Sequence, residues 1–158
     1  MPRRAYAKRK AQPDAQYQSL AVAKLINLIM ESGKKMLAER IVYDMMAEIE
    51  KEKKMAPMEV LDTAIANIGP RFIVRPRRVG GASYMVPREV TPHHRLFLAM
   101  RWLVDAARER SNKEYKTFSA KLKAEVLDGY DKKGAAFDKK MQSEKLAEAN
   151  KVFAHFNW

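Results

Sequence analysis

The sequence predicts a mainly α-helical fold: a six-helix bundle with one protruding two-stranded β-hairpin between the third and fourth helices, preceded by a basic N-terminal arm. Three observations predict it. Apolar residues recur three to five positions apart through most of residues 19–158. One segment, 72–90, breaks that rhythm with two β-type runs around Gly80-Gly81. The opening stretch, 1–18, holds Arg3, Arg4, Lys8, Arg9 and Lys10 with no acid before Asp14. The chain has 158 residues, 47% of them hydrophobic, which suits one domain with a real core.

The elements follow in order. In 1–18, Pro2 and Pro13 break any helix and few side chains are expected to enter a core, so this arm is expected to be solvated when alone. Ser19 can cap a helix over 20–32, with Leu25 and Ile29 on its apolar stripe and Gly33 stopping it. Lys34-Lys35 open a second helix to about residue 54, with Met36, Leu37, Ile41, Met45, Met46 and Ile49 as its apolar positions. So short a connection implies a helical hairpin. Pro57 fits the first turn of a third helix over 58–68, whose buried face is Val60, Leu61, Ala64, Ile65 and Ile68, and Gly69-Pro70 ends it.

The β-type runs each contain a proline, Pro76 and Pro87. Proline lacks an N–H and suits only an edge strand. Both strands of a two-stranded ribbon are edges, so the two prolines argue for a projecting arm and against a larger sheet. Such a ribbon is marginal alone and needs packing against its own domain or a partner. Thr91-Pro92 start a helix to about residue 110, with Leu96, Phe97, Met100, Leu103, Val104 and Ala107 inward. A fifth helix is expected over 114–130 with Tyr115, Phe118, Leu122 and Val126. Gly134 separates it from a last helix over 139–156 that carries Met141, Leu146, Ala149, Phe153 and Phe156. Most methionines are expected to fill core gaps. Trp102 reads as a core ring and Trp158 as an end anchor.

Charge narrows the function. Lys and Arg total 31 against 19 acids, a net +12, with a pI near 9.9. Such a surplus favours a polyanionic partner, nucleic acid or an anionic membrane. No apolar run approaches the ~20 residues of a membrane span, and the Arg/Lys-rich start has no apolar stretch behind it to make a secretory signal. There is no cysteine, so disulfides and thiolate metal sites are excluded. A reducing, cytoplasmic setting is consistent with that.

Segment 71–95 holds Arg71, Arg75, Arg77, Arg78, Arg88 and Arg95 against Glu89, with no lysine. Arginine offers a planar fork that bridges phosphate oxygens and stacks on bases. Arg75 and Arg77 lie two apart and so share a strand face. A charged edge that discourages aggregation is the competing explanation, but Lys and Glu would serve it equally well. Tyr84 and Met85 near the turn can meet bases or sugars. Lys34 and Lys35 sit at a helix N-terminus, where free N–H groups favour phosphate, and Lys24 and Asn27 extend that patch. Catalytic groupings are poor. His93-His94 are adjacent and diverge on a helix, His155 has no nucleophile near it, and no GK[ST] phosphate loop or Gly-x-Ser-x-Gly elbow is present. No enzyme activity, metal or other cofactor is expected. The rival readings are an architectural DNA-binding protein that uses the β-arm, and an RNA-processing enzyme with a helical body.

Specific blocks go further. They are Pro2-Arg3-Arg4; Ala23-Lys24 with Ile26-Asn27; Gly33-Lys34-Lys35, then Ala38 and Ile41-Val42-Tyr43; and Val74-Arg75-Pro76-Arg77-Arg78-Val79-Gly80-Gly81-Ala82-Ser83-Tyr84. Arg101-Trp102-Leu103-Val104-Asp105-Ala106-Ala107-Arg108, Leu146-Ala147-Glu148-Ala149-Asn150-Lys151, Phe153-Ala154-His155 and Trp158 follow. In this order, almost end to end, the chain closely resembles bacterial-type small-subunit ribosomal protein seven. The resemblance implies six helices with a hairpin arm after the third, and a structural, non-enzymatic role in the small ribosomal subunit. It implies primary binding of 16S rRNA that nucleates assembly of the head, the 3′ major domain. It also implies a place near exit-site tRNA and upstream mRNA, faced by the arm and the last helix, and contact with neighbouring proteins including the family numbered eleven.

The rRNA-binding residues expected on these combined grounds are Arg3, Arg4, Lys8, Arg9, Lys10, Lys24, Asn27, Lys34, Lys35, Arg71, Arg75, Arg77, Arg78 and Arg95. The hairpin tip expected to face tRNA and mRNA is Val79, Gly80, Gly81, Ala82, Ser83, Tyr84 and Met85. The chain departs from the family at Phe137-Asp138-Lys139-Lys140-Met141-Gln142-Ser143-Glu144 and at Phe156-Asn157-Trp158, both of which lower positive charge near the last helix.

Overall fold

Ser19 starts the first helix as expected. Its hydroxyl accepts from the backbone N–H of Ala21 and Val22 at 3.2 and 3.5 Å. The structure is a computed structural model that describes residues 12–156. The basic residues Arg3, Arg4, Lys8, Arg9 and Lys10, and the terminal Trp158, lie outside the described residues. Helix α1 (Leu20–Ile29) buries Val22, Leu25, Ile26 and Ile29. It ends before residue 32 because Met30 takes an extended ψ of 126°, and Ser32 and Gly33 then turn the chain at positive φ, 53° and 73°.

Helix α2 (Lys35–Lys53) buries Ala38, Val42, Met45, Met46 and Ile49. Met36 and Leu37, expected inward, are 82% and 51% exposed. Ala38, the next residue, is the first of α2 to be buried, so periodicity alone misplaces them. Helix α3 (Pro57–Ile68) has proline in its first turn and buries the five expected residues.

Strands β1 (Phe72–Val79) and β2 (Ala82–Glu89) pair antiparallel as a two-stranded sheet, with Val79 opposite Ala82. Gly80 and Gly81 both take positive φ, 58° and 88°, as a two-residue hairpin turn with the right-handed twist requires. Pro76 faces Met85 and Pro87 faces Val74, so both prolines sit on edges.

Helix α4 (Pro92–Glu109) buries Ala99, Met100, Leu103, Val104, Ala106 and Ala107. Phe97 is 39% exposed rather than inward, and Trp102 packs only partly buried against the core.

Helix α5 (Phe118–Tyr130) begins four residues later than the expected 114. Thr117 caps it, its hydroxyl accepting from the Ala120 N–H at 3.2 Å. Tyr115 stays in the preceding loop beside Arg110. Helix α6 (Gly134–Ala149) begins five residues earlier than the expected 139 and gives way to a 3-10 turn, Lys151–Phe156. Its start is set from another helix: the Glu125 carboxylate accepts from the Ala136 N–H at 2.9 Å. At its other end the Asn150 side chain donates to the Leu146 carbonyl. Met141 and Leu146 are exposed, not core. Among the described methionines, Met45, Met46 and Met100 are buried, while Met36, Met55, Met85 and Met141 face solvent, so gap-filling accounts for only part of the set.

Helix α5 is the centre of the bundle and packs on α2, α3, α4 and α6. Each fully buried Leu, Ile or Met here contributes about 1.5–3 kcal/mol. At Gly129 the approach to α3 is so close that an added Cβ would lie 2.7 Å from Ile68 Cδ1. The Asn67 amide secures that crossing by donating to the Gly129 and Tyr130 carbonyls at 3.2 and 3.0 Å.

Two polar anchors complete the frame. Buried Glu125 accepts from Arg110 Nε at 2.7 Å, and Asp128 bonds the same guanidinium. Burial works against the Arg110 charge, but the hydrogen bonds to Asp128 and Glu125 outweigh it and raise its pKa. Ahead of α1, buried Asp14 accepts from the Tyr43 hydroxyl at 2.7 Å and from the N–H of Gln16 and Tyr17. Residues 14–17 are therefore tied to α2, with the Tyr17 ring tilted against Tyr43.

Candidate nucleic-acid interface

The hairpin presents the expected arginines unequally. Arg75 and Arg78 are exposed and take no hydrogen-bond or ion-pair partner among the described residues. Arg75 pairs across the ribbon with Val86 and Arg77 with Tyr84, so Arg75 and Arg77 do share a face. Their surroundings differ, because Arg77 is half-buried and donates from Nη1 to the Phe156 carbonyl at 2.8 Å. Arg71 lies exposed at the ribbon's base, where its backbone N–H donates to Glu144 at 3.0 Å. Arg95 is half-buried. Its Nε and Nη2 donate to the Gly69 and Ala66 carbonyls at 3.0 and 3.1 Å, which places a cation at the C-terminal end of α3.

At the tip, Gly80, Gly81, Ala82 and Ser83 are exposed and Val79 is half-buried. Met85 is exposed. Tyr84 is not free at the surface: its ring centroid lies 5.2 Å from that of Phe153 and 5.3 Å from that of Phe156.

The second cluster lies at the α1–α2 turn. Lys34 is exposed at the start of α2, and Lys35 pairs with Glu39 at 3.7 Å along the helix. Asn27 is exposed and Lys24 half-buried one turn before it on α1. Lys34 and Arg108 rim one cleft of about 450 Å³ floored by Ile29, Met30, Leu37, Ala38, Ile41 and Phe118. Arg108 also pairs with Glu31 at 2.7 Å. Sequence reasoning missed Arg108, which is 74 positions from Lys34 and shares a surface with it only through the α1–α4 packing.

No catalytic arrangement appears among the described residues. His94 stacks on Phe97, with centroids 6.3 Å apart, and His155 Nδ1 lies 2.8 Å from the Val152 carbonyl. Among the described residues, no group of three or more His, Asp or Glu is placed to hold a metal. Among the described residues, no helix is long and apolar enough to cross a membrane. What the geometry offers is exposed cations on a ribbon and at a helix start, suited to phosphate oxygens.

Comparison with known proteins agrees. The family described as ribosomal protein S7p/S5e matches residues 1–151. The chain is similar to the small ribosomal subunit protein uS7 of Hydrogenobaculum sp., at 49% identity over the whole of both chains. It is 48% identical to that of Thermodesulfovibrio yellowstonii and 47% to that of Nitrosococcus oceani, again over full length. The chain belongs to the ribosomal protein S7p/S5e family, in its bacterial-type small-subunit form, whose members are structural, RNA-binding proteins and not enzymes.

Proposed function

We propose that the chain is a primary binder of 16S rRNA that nucleates assembly of the small-subunit head, and that it lies there near exit-site tRNA and upstream mRNA. The helical bundle is the scaffold. The hairpin, the Lys34-Lys35 turn and the basic N-terminal arm grip an rRNA junction, and the tip residues 79–85 face the tRNA and mRNA. Neighbouring small-subunit proteins, including the family numbered eleven, complete the surroundings. The observation that carries this reading is the arginine-only ribbon, with Arg75 and Arg78 exposed and unpartnered among the described residues. Affinity then comes largely from phosphate neutralisation, and specificity from RNA shape and unstacked bases.

The test is binding across a salt series to a 16S head-domain fragment, a duplex DNA and an unrelated tRNA. The 16S fragment is expected to bind tighter than either competitor by about a hundredfold or more. Equal competition by duplex DNA would instead support the architectural DNA-binding alternative.

A further inference from the structure

The hairpin has two faces of support. At its base, the Ser143 hydroxyl of α6 donates to the Phe72 carbonyl at 3.3 Å, and Glu144 takes the Arg71 N–H. Farther along the chain, the 3-10 turn Lys151–Phe156 also packs on β2. That turn engages the cross-strand pair Arg77 and Tyr84. Phe153 and Phe156 stack with an interplanar angle of 12° and cover Tyr84, and the Phe156 carbonyl takes the Arg77 guanidinium.

A two-stranded ribbon is marginal in water, and Pro76 and Pro87 each remove a donor from this one. It needs a clamp. An arginine already bonded to a buried-side carbonyl must break that bond to reach a phosphate, so its net gain there is small. An unpartnered arginine on an ordered ribbon has no such cost.

We propose that Arg77 is a positioning residue and not a phosphate contact: with Tyr84, Phe153 and Phe156 it forms a clasp that holds the outer hairpin so that Arg75 and Arg78 meet RNA phosphates. The clasp itself is a property of the free protein, and its use in binding rests on the rRNA reading above.

Three variants of the full chain separate the roles: Arg75→Ala, Arg77→Ala, and Phe153→Ser with Phe156→Ser. Two measurements are made on each, amide hydrogen exchange of 72–89 in the free protein and the salt dependence of binding to the 16S head-domain fragment. Arg75→Ala is expected to leave exchange unchanged and to lower the salt slope by about 1, one phosphate contact. Arg77→Ala and the double Phe variant are expected to speed hairpin exchange by about tenfold or more. Both weaken binding with the slope unchanged, while bundle amides exchange as before. Phe153→Leu with Phe156→Leu keeps the apolar cover and is expected to restore slow exchange. The proposal is overturned if Arg77→Ala lowers the slope by about 1, or if hairpin exchange does not respond. It is also overturned if the double Phe variant binds RNA more tightly, which would mean that the turn hides the RNA surface. If the unaltered protein shows no preference for the 16S fragment, the rRNA reading fails, while exchange in the free protein still decides the clasp.

Discussion

The bundle and the hairpin are held by opposite means. In the bundle, Leu61, Ile68, Met100, Leu103 and Leu122 are removed from water, and buried Glu125 pairs with the partly buried Arg110. In the hairpin only Val86 and Pro87 are buried within the strands, and most of the surface is charged or open. The bundle is stabilised by its own interior, whereas the hairpin depends on α6 and the 3-10 turn. Rigidity is thus built in one place and put to use in another. A charged ribbon can remain open to a polyanion because a dry core elsewhere supports it.

The largest expected effect lies in the bundle. Glu125→Ala leaves the Arg110 guanidinium to Asp128 alone among its carboxylates and uncaps Ala136, and is expected to cost about 2–3 kcal/mol in urea unfolding. Glu125→Gln keeps an acceptor for the Ala136 N–H and should cost less. A loss below about 1 kcal/mol for the Ala variant would mean that the junction of α4, α5 and α6 does not need this anchor.

Next comes the Asp14 anchor. Burial alone would raise the Asp14 pKa, but hydrogen bonds from the Tyr43 hydroxyl and the Tyr17 and Gln16 N–H groups outweigh it and hold it below the ordinary 3.8. The same bond is the main cause that pushes the Tyr43 hydroxyl up to about 12. A depressed carboxyl stabilises the fold above its unfolded pKa, and that contribution fades as pH falls through the folded value. Asp14→Asn is therefore expected to cost about 1 kcal/mol at pH 7, and that cost is expected to shrink as pH falls below 3.8 and through the folded value. A constant difference across that range would remove the charge from the explanation.

The smallest stability effect belongs to the α1–α2 turn. Lys34→Ala with Lys35→Ala is expected to change stability by less than about 0.5 kcal/mol, since the Lys35–Glu39 pair is exposed. The same variant should lower the rRNA salt slope by up to about 2. A large fall in melting temperature would assign the pair to the fold instead, and blur the contrast between scaffold and grip.

What was legible in the sequence was what is local. Ser19, Pro57, Pro92 and the periodic stripes mark α1 to α4, and Gly80-Gly81 with two edge prolines sets the ribbon and its register. The start of α6 escaped because it is set from afar, by Glu125 reaching Ala136 eleven positions on, whereas α5 starts at a local cap, Thr117, that apolar periodicity alone passes over. The site divides the same way. Arg75 and Arg78 stand out from composition alone. The bonds of Arg77 and Arg95 do not, because Phe156 lies 79 positions from one and Ala66 lies 29 from the other.

Arg95 also has a mechanical consequence. Its two bonds to α3 carbonyls join the helix that enters the hairpin to the helix that leaves it, at the level of Gly69. That join is a fulcrum. Eight residues of strand make a lever of about 26 Å at ~3.3 Å per residue. A rocking of only ~10° at the base would carry the Gly80-Gly81 tip about 4–5 Å, farther than a hydrogen bond reaches. Precision at the tip therefore begins at the pivot, with Arg95, before any support farther out can act.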